Sequence, residues 1–270
     1  MTETRINPWG VVVPDVLTQP AFMFIAEQDL IEMFLFYVVG ADRMLEKHYE
    51  EVRDDLISYL RSQQNVFTDA LALSLEGEGA RTIYSARSYE HLLGQMMYAR
   101  SVDNFLVYLK DLLLEIFNAD PDLFTPEGKE KWDYIWSFRD MTEMKTAITE
   151  MKIGDLFRAG IKAISKFFET KLEVKLFQLP EELDTAVLAT KYRNLIVHNR
   201  GKVDNRFVKE YPTLGWQIGD ILTFTYVDIS RFNGLTINTM ARIDHIVALK
   251  FNLERFKNIR SPHLIQERLL

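Results

Sequence analysis

The chain has 270 residues, enough for one large domain or two small ones with a sizeable buried core. Its composition, 47% hydrophobic and 26% charged, is ordinary for a globular protein, and the lack of cysteine excludes disulfides, zinc–thiolate sites and cysteine nucleophiles and points to a reducing cytosol. Net charge is −7, but residues 1–150 carry −13 and residues 151–270 carry +6, which directs any anionic partner to the C-terminal part unless the two halves attract each other or pair across a dimer.

The opening MTETRINPWG lacks a basic region followed by an apolar core and does not read as a signal peptide. Pro8, Pro14 and Pro20 predict an extended arm over residues 1–20, ahead of a single helical domain over 21–270. Only eight Pro and twelve Gly interrupt the chain, so long helices are favoured over a many-stranded sandwich.

A helical pattern starts near Ala21 and runs to about Ser62, interrupted at Gly40. Leu30, Met33, Phe34 and Tyr37 recur at spacings of three and four and predict a buried stripe. Glu27, Asp29 and Glu32 lie within the most apolar stretch, Phe22 to Gly40, and argue against a membrane crossing. Glu46, Glu50 and Asp54 share one face, but no second ligand cluster accompanies them, so a solvated acidic face is favoured over a metal site.

Residues 77–80, GEGA, predict a loop, and residues 85–120 a long helix or a pair of them, with Leu92, Met96, Val102, Leu106, Leu109, Leu113 and Ile116 as core candidates. Asp120 to Gly128 is a turn-rich break, followed by helical regions at about 132–151 and 154–172. Pro180, Glu181 and Glu182 are a helix start and Gly201 a stop, which predicts a helix over about 180–199. The run ILTFTYVDI predicts a small β-strand or hairpin near 219–229, and helical spacing returns over 235–260. The predicted fold class is mainly α, a helical bundle with that one β insertion.

The most informative stretch is RNLIVHN, residues 193–199. On a helical wheel Leu188, Tyr192 and Leu195 form the core face, and Asn194 and His198 share one flank at i, i+4. Arg193 occupies the other flank, and Val197 faces outward between them. An outward Val bracketed by Arg and His suggests that another surface covers this face. Lys191, Arg193, Arg200, Lys202, Arg206 and Lys209 put six bases against one acid, Asp204, between residues 191 and 209. Such a patch suits phosphate backbones. Tyr192, Phe207 and Tyr211 are candidates to stack on bases, with core packing favoured for Tyr192.

The stretch resembles the RxxxxH signature, commonly with Asn after the Arg, of the HEPN superfamily (higher eukaryotes and prokaryotes nucleotide-binding). VHNRGKVDNRF and the later GDILTF, ID and VALKF segments are also similar to HEPN-type bacterial proteins, over a core of about residues 86–260. The resemblance implies a HEPN-type helical bundle and a metal-independent endoribonuclease, in which two copies commonly join their motifs in one composite cleft. Arg193 and His198 are then the catalytic residues, supported by Asn194. Lys191, Asn199, Arg200, Lys202, Arg206 and Lys209 are the RNA-binding candidates. No cofactor and no metal are implied. The partners implied are RNA, a second copy and an inhibitory or activating protein, in a bacterial toxin or phage-defence setting. Histidine titrates near neutral pH and transfers protons, while arginine offers a charged fork of donors to phosphate oxygens. Two alternatives stay open: a non-catalytic dimerisation or RNA- or protein-binding module, and a metal-dependent enzyme on the Glu46, Glu50 and Asp54 face. His48, His91 and His263 read as surface, helix and tail histidines, and Asp244 and His245 point apart as helix neighbours. No P-loop, dinucleotide-binding or nucleophile-elbow motif occurs.

Overall fold

The computed structural model describes residues 14–47, 49–76, 90–124 and 138–257. Among them the chain is mainly helical. In chain order come β1 (Val16–Leu17), α1 (Gln19–Lys47), α2 (Tyr49–Ser62), α3 (Val66–Glu76), α4 (Glu90–Ala119), a 3-10 turn (Pro121–Phe124) and α5 (Met141–Ala159). There follow α6 (Ile161–Thr170), α7 (Pro180–Asn199), α8 (Asn205–Glu210), a second 3-10 turn (Pro212–Leu214), α9 (Tyr226–Lys250) and β2 (Phe256–Lys257). β1 and β2 pair antiparallel, Val16 opposite Lys257 and Leu17 opposite Phe256. The GEGA loop, Trp132, His48 and His263 lie outside the described residues, as do residues 1–13 of the expected arm.

α4 is the central element, packed against α1, α5, α7 and α9. One face of it, through Phe105, Tyr108, Leu109, Leu112 and Ile116, joins the larger core cluster with Phe24 of α1, Phe168 of α6 and Met240 of α9. Its N-terminal half, through Tyr98 and Val102, joins a second cluster with Ala189 and Leu195 of α7, Phe207 of α8, and Val203, Leu222 and Phe224 of the loops on either side of it. Asn104 Nδ2 donates to the Phe24 carbonyl at 3.0 Å and to Gln28 Oε1 at 3.2 Å, which fixes α1 against α4.

Local signals explain the helix ends. Asp140 caps α5 by accepting from Thr142 N at 2.8 Å and Glu143 N at 2.9 Å. Gly160, at φ 90°, splits the expected 154–172 segment into the end of α5 and α6. Glu182 accepts from Leu179 N at 3.2 Å and Gln178 N at 2.7 Å and closes the start of α7.

Two sequence expectations are corrected. The β insertion near 219–229 is not a strand: Thr225 and Asp228 form a capping box that starts α9 at Tyr226. What remains of it is one bridge between Lys202 and Ile221, with Leu222 N donating to the Gly201 carbonyl at 2.9 Å. The stripe Leu30, Met33, Phe34 and Tyr37 is exposed, and Phe24, Ile31 and Leu35 face the core instead. α1 is apolar around most of its circumference, so helical spacing alone fits either face. Leu92 and Met96, core candidates by their spacing, are likewise exposed, while Val102, Leu109, Leu113 and Ile116 are buried as expected. Among the described residues no helix is long and apolar enough to cross a membrane.

Candidate functional site

The RNLIVHN stretch forms the last two turns of α7, and its position is set by contacts made around it. Leu195 is buried, and Leu188, Tyr192 and Ile196 pack against the second core cluster. Arg200 takes a left-handed conformation at φ 54° and Gly201 follows at φ 71°, with Gly201 N donating to the Leu195 carbonyl at 3.0 Å. A side chain at residue 201 would collide with Gln95 of α4, its Cβ falling 2.3 Å from Nε2. Gln95 Nε2 in turn donates to the Leu222 carbonyl at 2.7 Å, so α4, the end of α7 and the returning loop are tied at one point.

A cleft of about 350 Å³ opens beside this end of the helix, lined by Lys191, Asn194, His198, Asn199, Asp204, Arg206 and Glu210, with Leu195 and Phe207 as its floor. Asn194 and His198 thus meet on one flank, as the wheel predicts. Asn199 uses its side chain structurally, Nδ2 donating to the Lys202 carbonyl at 2.6 Å. Asp204 caps α8, accepting from Phe207 N at 2.7 Å. Arg200, Lys202 and Lys209 are exposed but are not part of the cleft lining.

Arg193 stands outside this cleft. Its Nε donates to Asp103 Oδ1 of α4 at 2.7 Å, and its Nη1 donates to Asn194 Oδ1 at 3.2 Å. Lys191 is paired too, with Nζ 2.8 and 3.0 Å from the two carboxylate oxygens of Glu210. That contact holds the Glu210 carboxyl below its ordinary range, chiefly through the hydrogen bond from Lys191. Neither Asp103 nor Glu210 stands out in the sequence as a partner of the motif. Asp103 lies 90 residues from its partner, and no local pattern links them. Glu210 was discoverable, because it is the residue directly after the basic run ending at Lys209.

The aromatic candidates belong to the fold. Tyr192 and Phe207 rings lie 5.4 Å apart and Phe207 and Tyr211 rings 5.0 Å apart, and Phe207 is buried. Trp216 Nε1 donates to the Tyr192 hydroxyl at 3.3 Å. His91 is exposed at the start of α4 and is not part of the cleft lining. Asp244 is buried and accepts from Thr18 N at 3.1 Å and from the Thr18 hydroxyl, while His245 beside it is exposed. Among the described residues no group of three or more His, Asp or Glu is placed to hold a metal ion. The chain matches no protein family, no curated protein and no solved structure in comparisons with each.

Proposed function

We propose that this chain is a HEPN-type endoribonuclease that cleaves RNA without a metal, with Arg193 and His198 as catalytic residues and Asn194 as their support. The observation that carries this reading is the convergence of Asn194, His198, Lys191 and Arg206 on one cleft of nucleotide-scale volume, about 350 Å³. In the reaction the ribose 2′-oxygen attacks the adjacent phosphorus. The P–O2′ bond forms and the P–O5′ bond breaks. One proton leaves the 2′-hydroxyl and one reaches the departing 5′-oxygen, so the products are a 2′,3′-cyclic phosphate and a 5′-hydroxyl. His198 serves one of these proton transfers. Arg206, with Lys191 and Arg193 once they exchange Glu210 and Asp103 for phosphate, supplies the cations for the phosphoryl oxygens, with Asn199, Arg200, Lys202 and Lys209 on the path of the flanking strand. Arg193 and His198 occupy different flanks of α7, so the reading includes a second copy across the outward Val197. A cytoplasmic toxin or defence role, with a regulating partner protein, belongs to the same proposal.

The test is cleavage of tRNA and total cellular RNA by the purified chain in excess EDTA, beside His198→Ala and Arg193→Ala. Loss of a general acid or base such as His198 costs about 100- to 10,000-fold in rate and loss of a charge-stabilising donor such as Arg193 about 100- to 1,000-fold, so both variants should be silent and the parent's product should end in a cyclic phosphate. Equal cleavage by parent and both variants would reject the site. A second reading has its own observation. Arg193 and Lys191 are both engaged by carboxylates of the same chain, as expected of a non-catalytic module whose charges hold the fold. A parent that cleaves nothing but melts lower after Arg193→Ala would favour it.

A further inference from the structure

The cleft beside the motif carries an acid that the cleavage chemistry does not use. Asp204 is half-buried on its lining, and its Oδ1 accepts from Phe207 N at 2.7 Å as the cap of α8. That bond takes one of a carboxylate's roughly four acceptor positions, and among the described residues no other hydrogen bond reaches this side chain. Asn199 stands on the same lining in a similar state. Its Nδ2 donates to the Lys202 carbonyl at 2.6 Å, which leaves Oδ1 as a second acceptor. Both residues flank a segment that backbone bonds hold in place. Val203 N donates to the Asp220 carbonyl at 2.9 Å, and Gly219 N donates to the Val203 carbonyl at 2.9 Å. Acceptors placed in advance in a cleft favour a ligand that brings N–H donors.

The rest of the lining narrows the ligand further. Lys191 and Arg206 disfavour a ligand that is itself a cation, such as a basic side chain of a peptide. Leu195 and Phe207 form an apolar floor, which suits the flat face of a base. A nucleotide brings an anion, a flat face and N–H donors together. Among the four bases guanine alone fits the carboxylate in full. Its Watson–Crick edge presents N1–H and the 2-amino group side by side, matched to the two oxygens of one carboxylate. Adenine and cytosine present an amino group beside an unprotonated ring nitrogen, and uracil presents one N–H between two carbonyls. Each of those three sets a lone pair against the second carboxylate oxygen. Glu210, the other acid of the lining, is already engaged by Lys191 through both oxygens, at 2.8 and 3.0 Å.

We propose that Asp204, assisted by Asn199, reads guanine in this cleft, and that the chain cuts RNA on the 3′ side of guanosine. Only the second half rests on the ribonuclease reading. Isothermal titration of the full chain with the four nucleoside 3′-monophosphates should find the guanosine compound bound about 5- to 150-fold tighter than the other three, the range for one bidentate base contact. Inosine 3′-monophosphate lacks the 2-amino group and should fall between. Asp204→Asn keeps the cap of α8, because Asn caps about as well as Asp, but it sets an amide donor against a donor of guanine. In that variant the guanosine compound should bind no tighter than the adenosine one. Cleavage of a defined RNA containing all four bases should give fragments ending in guanosine 2′,3′-cyclic phosphate. Equal affinity for the four nucleotides, or an unchanged preference in Asp204→Asn, overturns the guanine site. If circular dichroism shows that this variant fails to fold, the inosine comparison decides, and equal binding of the inosine and guanosine compounds overturns it. Cleavage after every base alike overturns the proposal and leaves the ribonuclease reading standing. A guanine preference in binding that depends on Asp204, with no RNA cut, keeps the base site and removes the ribonuclease reading.

Discussion

Arg193 and Asp103 meet at 2.7 Å across 90 residues, and this half-buried pair ties the motif helix α7 to the central helix α4. Because α4 also bears on α1 and α9, the pair couples the motif to the whole bundle. A double-mutant cycle of Asp103→Asn and Arg193→Gln in urea should give a coupling energy of about 0.5–1 kcal/mol, the range of partly solvated pairs. If Arg193 acts on RNA, Asp103 is a positioning residue. Asp103→Asn should then lower kcat with KM little changed, and Asp103→Glu should recover part of the loss. Equal stability of all four chains in the cycle would show the pair to be idle.

The close approach of α4 to the loop before α9 requires glycine at position 94. A Cβ there would lie 2.3 Å from the Phe224 carbonyl oxygen and 3.3 Å from its carbon, and backbone cannot yield as a side chain can. Gly94→Ala should therefore destabilise the fold by about 2–3 kcal/mol, measured by urea denaturation. Gly154→Ala is the control: its nearest neighbour is the flexible Arg158 guanidinium at 3.5 Å. In the middle of α5 it should stabilise by up to about 1 kcal/mol. Equal effects at the two positions would contradict the packing described.

The parts of this fold legible in sequence are those written in local signals. Pro180 with Glu181 and Glu182, and Gly201 after the last turn, define α7 because capping and backbone sterics act within a few residues. The ILTFTYVDI run reads as β because its β-formers outweigh the Thr225-x-x-Asp228 start signal inside it, yet in the folded chain that capping box prevails. For α1 the spacing points to the wrong buried face, because it gives the period and not the phase when both sides are apolar. Asn194 and His198 were paired correctly from the wheel. That Arg193 belongs to Asp103, and Gly201 to Gln95, depends on tertiary contacts between α4 and α7 that no short window contains.

A group of acids between α4 and α9 makes stability depend on pH. Burial, then the charges of Asp244, Asp111 and Glu254, push the Glu115 carboxyl up to about 7. Burial also raises Asp111 against the opposing effect of Lys110, and raises Asp244 despite its bonds to Thr18 and the nearby Arg255 and His245. The buried Tyr108 hydroxyl has no hydrogen-bond partner among the described residues, and after burial the charges of Asp244 and Glu115 are what raise its pKa. Between the ordinary carboxylate range and about pH 7 the folded chain holds more protons than the unfolded one, so stability falls as pH rises through that window. Glu115→Gln removes the charge and keeps the shape. It should match the parent below pH 4.5 and exceed it at pH 8 by about 1 kcal/mol, a figure reduced for the solvent that reaches Glu115. Thermal melts at both pH values decide it, and identical pH profiles for the two chains would reject the assignment.

Glu210 is the carboxylate that competes with RNA for the cleft under the proposed function. It holds Lys191 at 2.8 Å and sits on the same lining as His198 and Arg206. A phosphate entering the cleft must displace it from Lys191 or settle for fewer cations. Glu210→Gln frees the ammonium and removes a negative charge from the cleft, so RNA should bind about 3- to 10-fold tighter at low salt, and the slope of log affinity against log salt should steepen by about 0.7, the increment for one additional single-strand phosphate contact. The gain should fade at high salt and should vanish in Lys191→Gln/Glu210→Gln, where no ammonium remains to be freed. Fluorescence anisotropy with a labelled single-stranded RNA, bound to the chain in the His198→Ala background so that no cleavage intervenes, reads both quantities. An unchanged affinity and slope would mean that Lys191 does not meet phosphate and that its pairing with Glu210 serves only to hold α8 against α7.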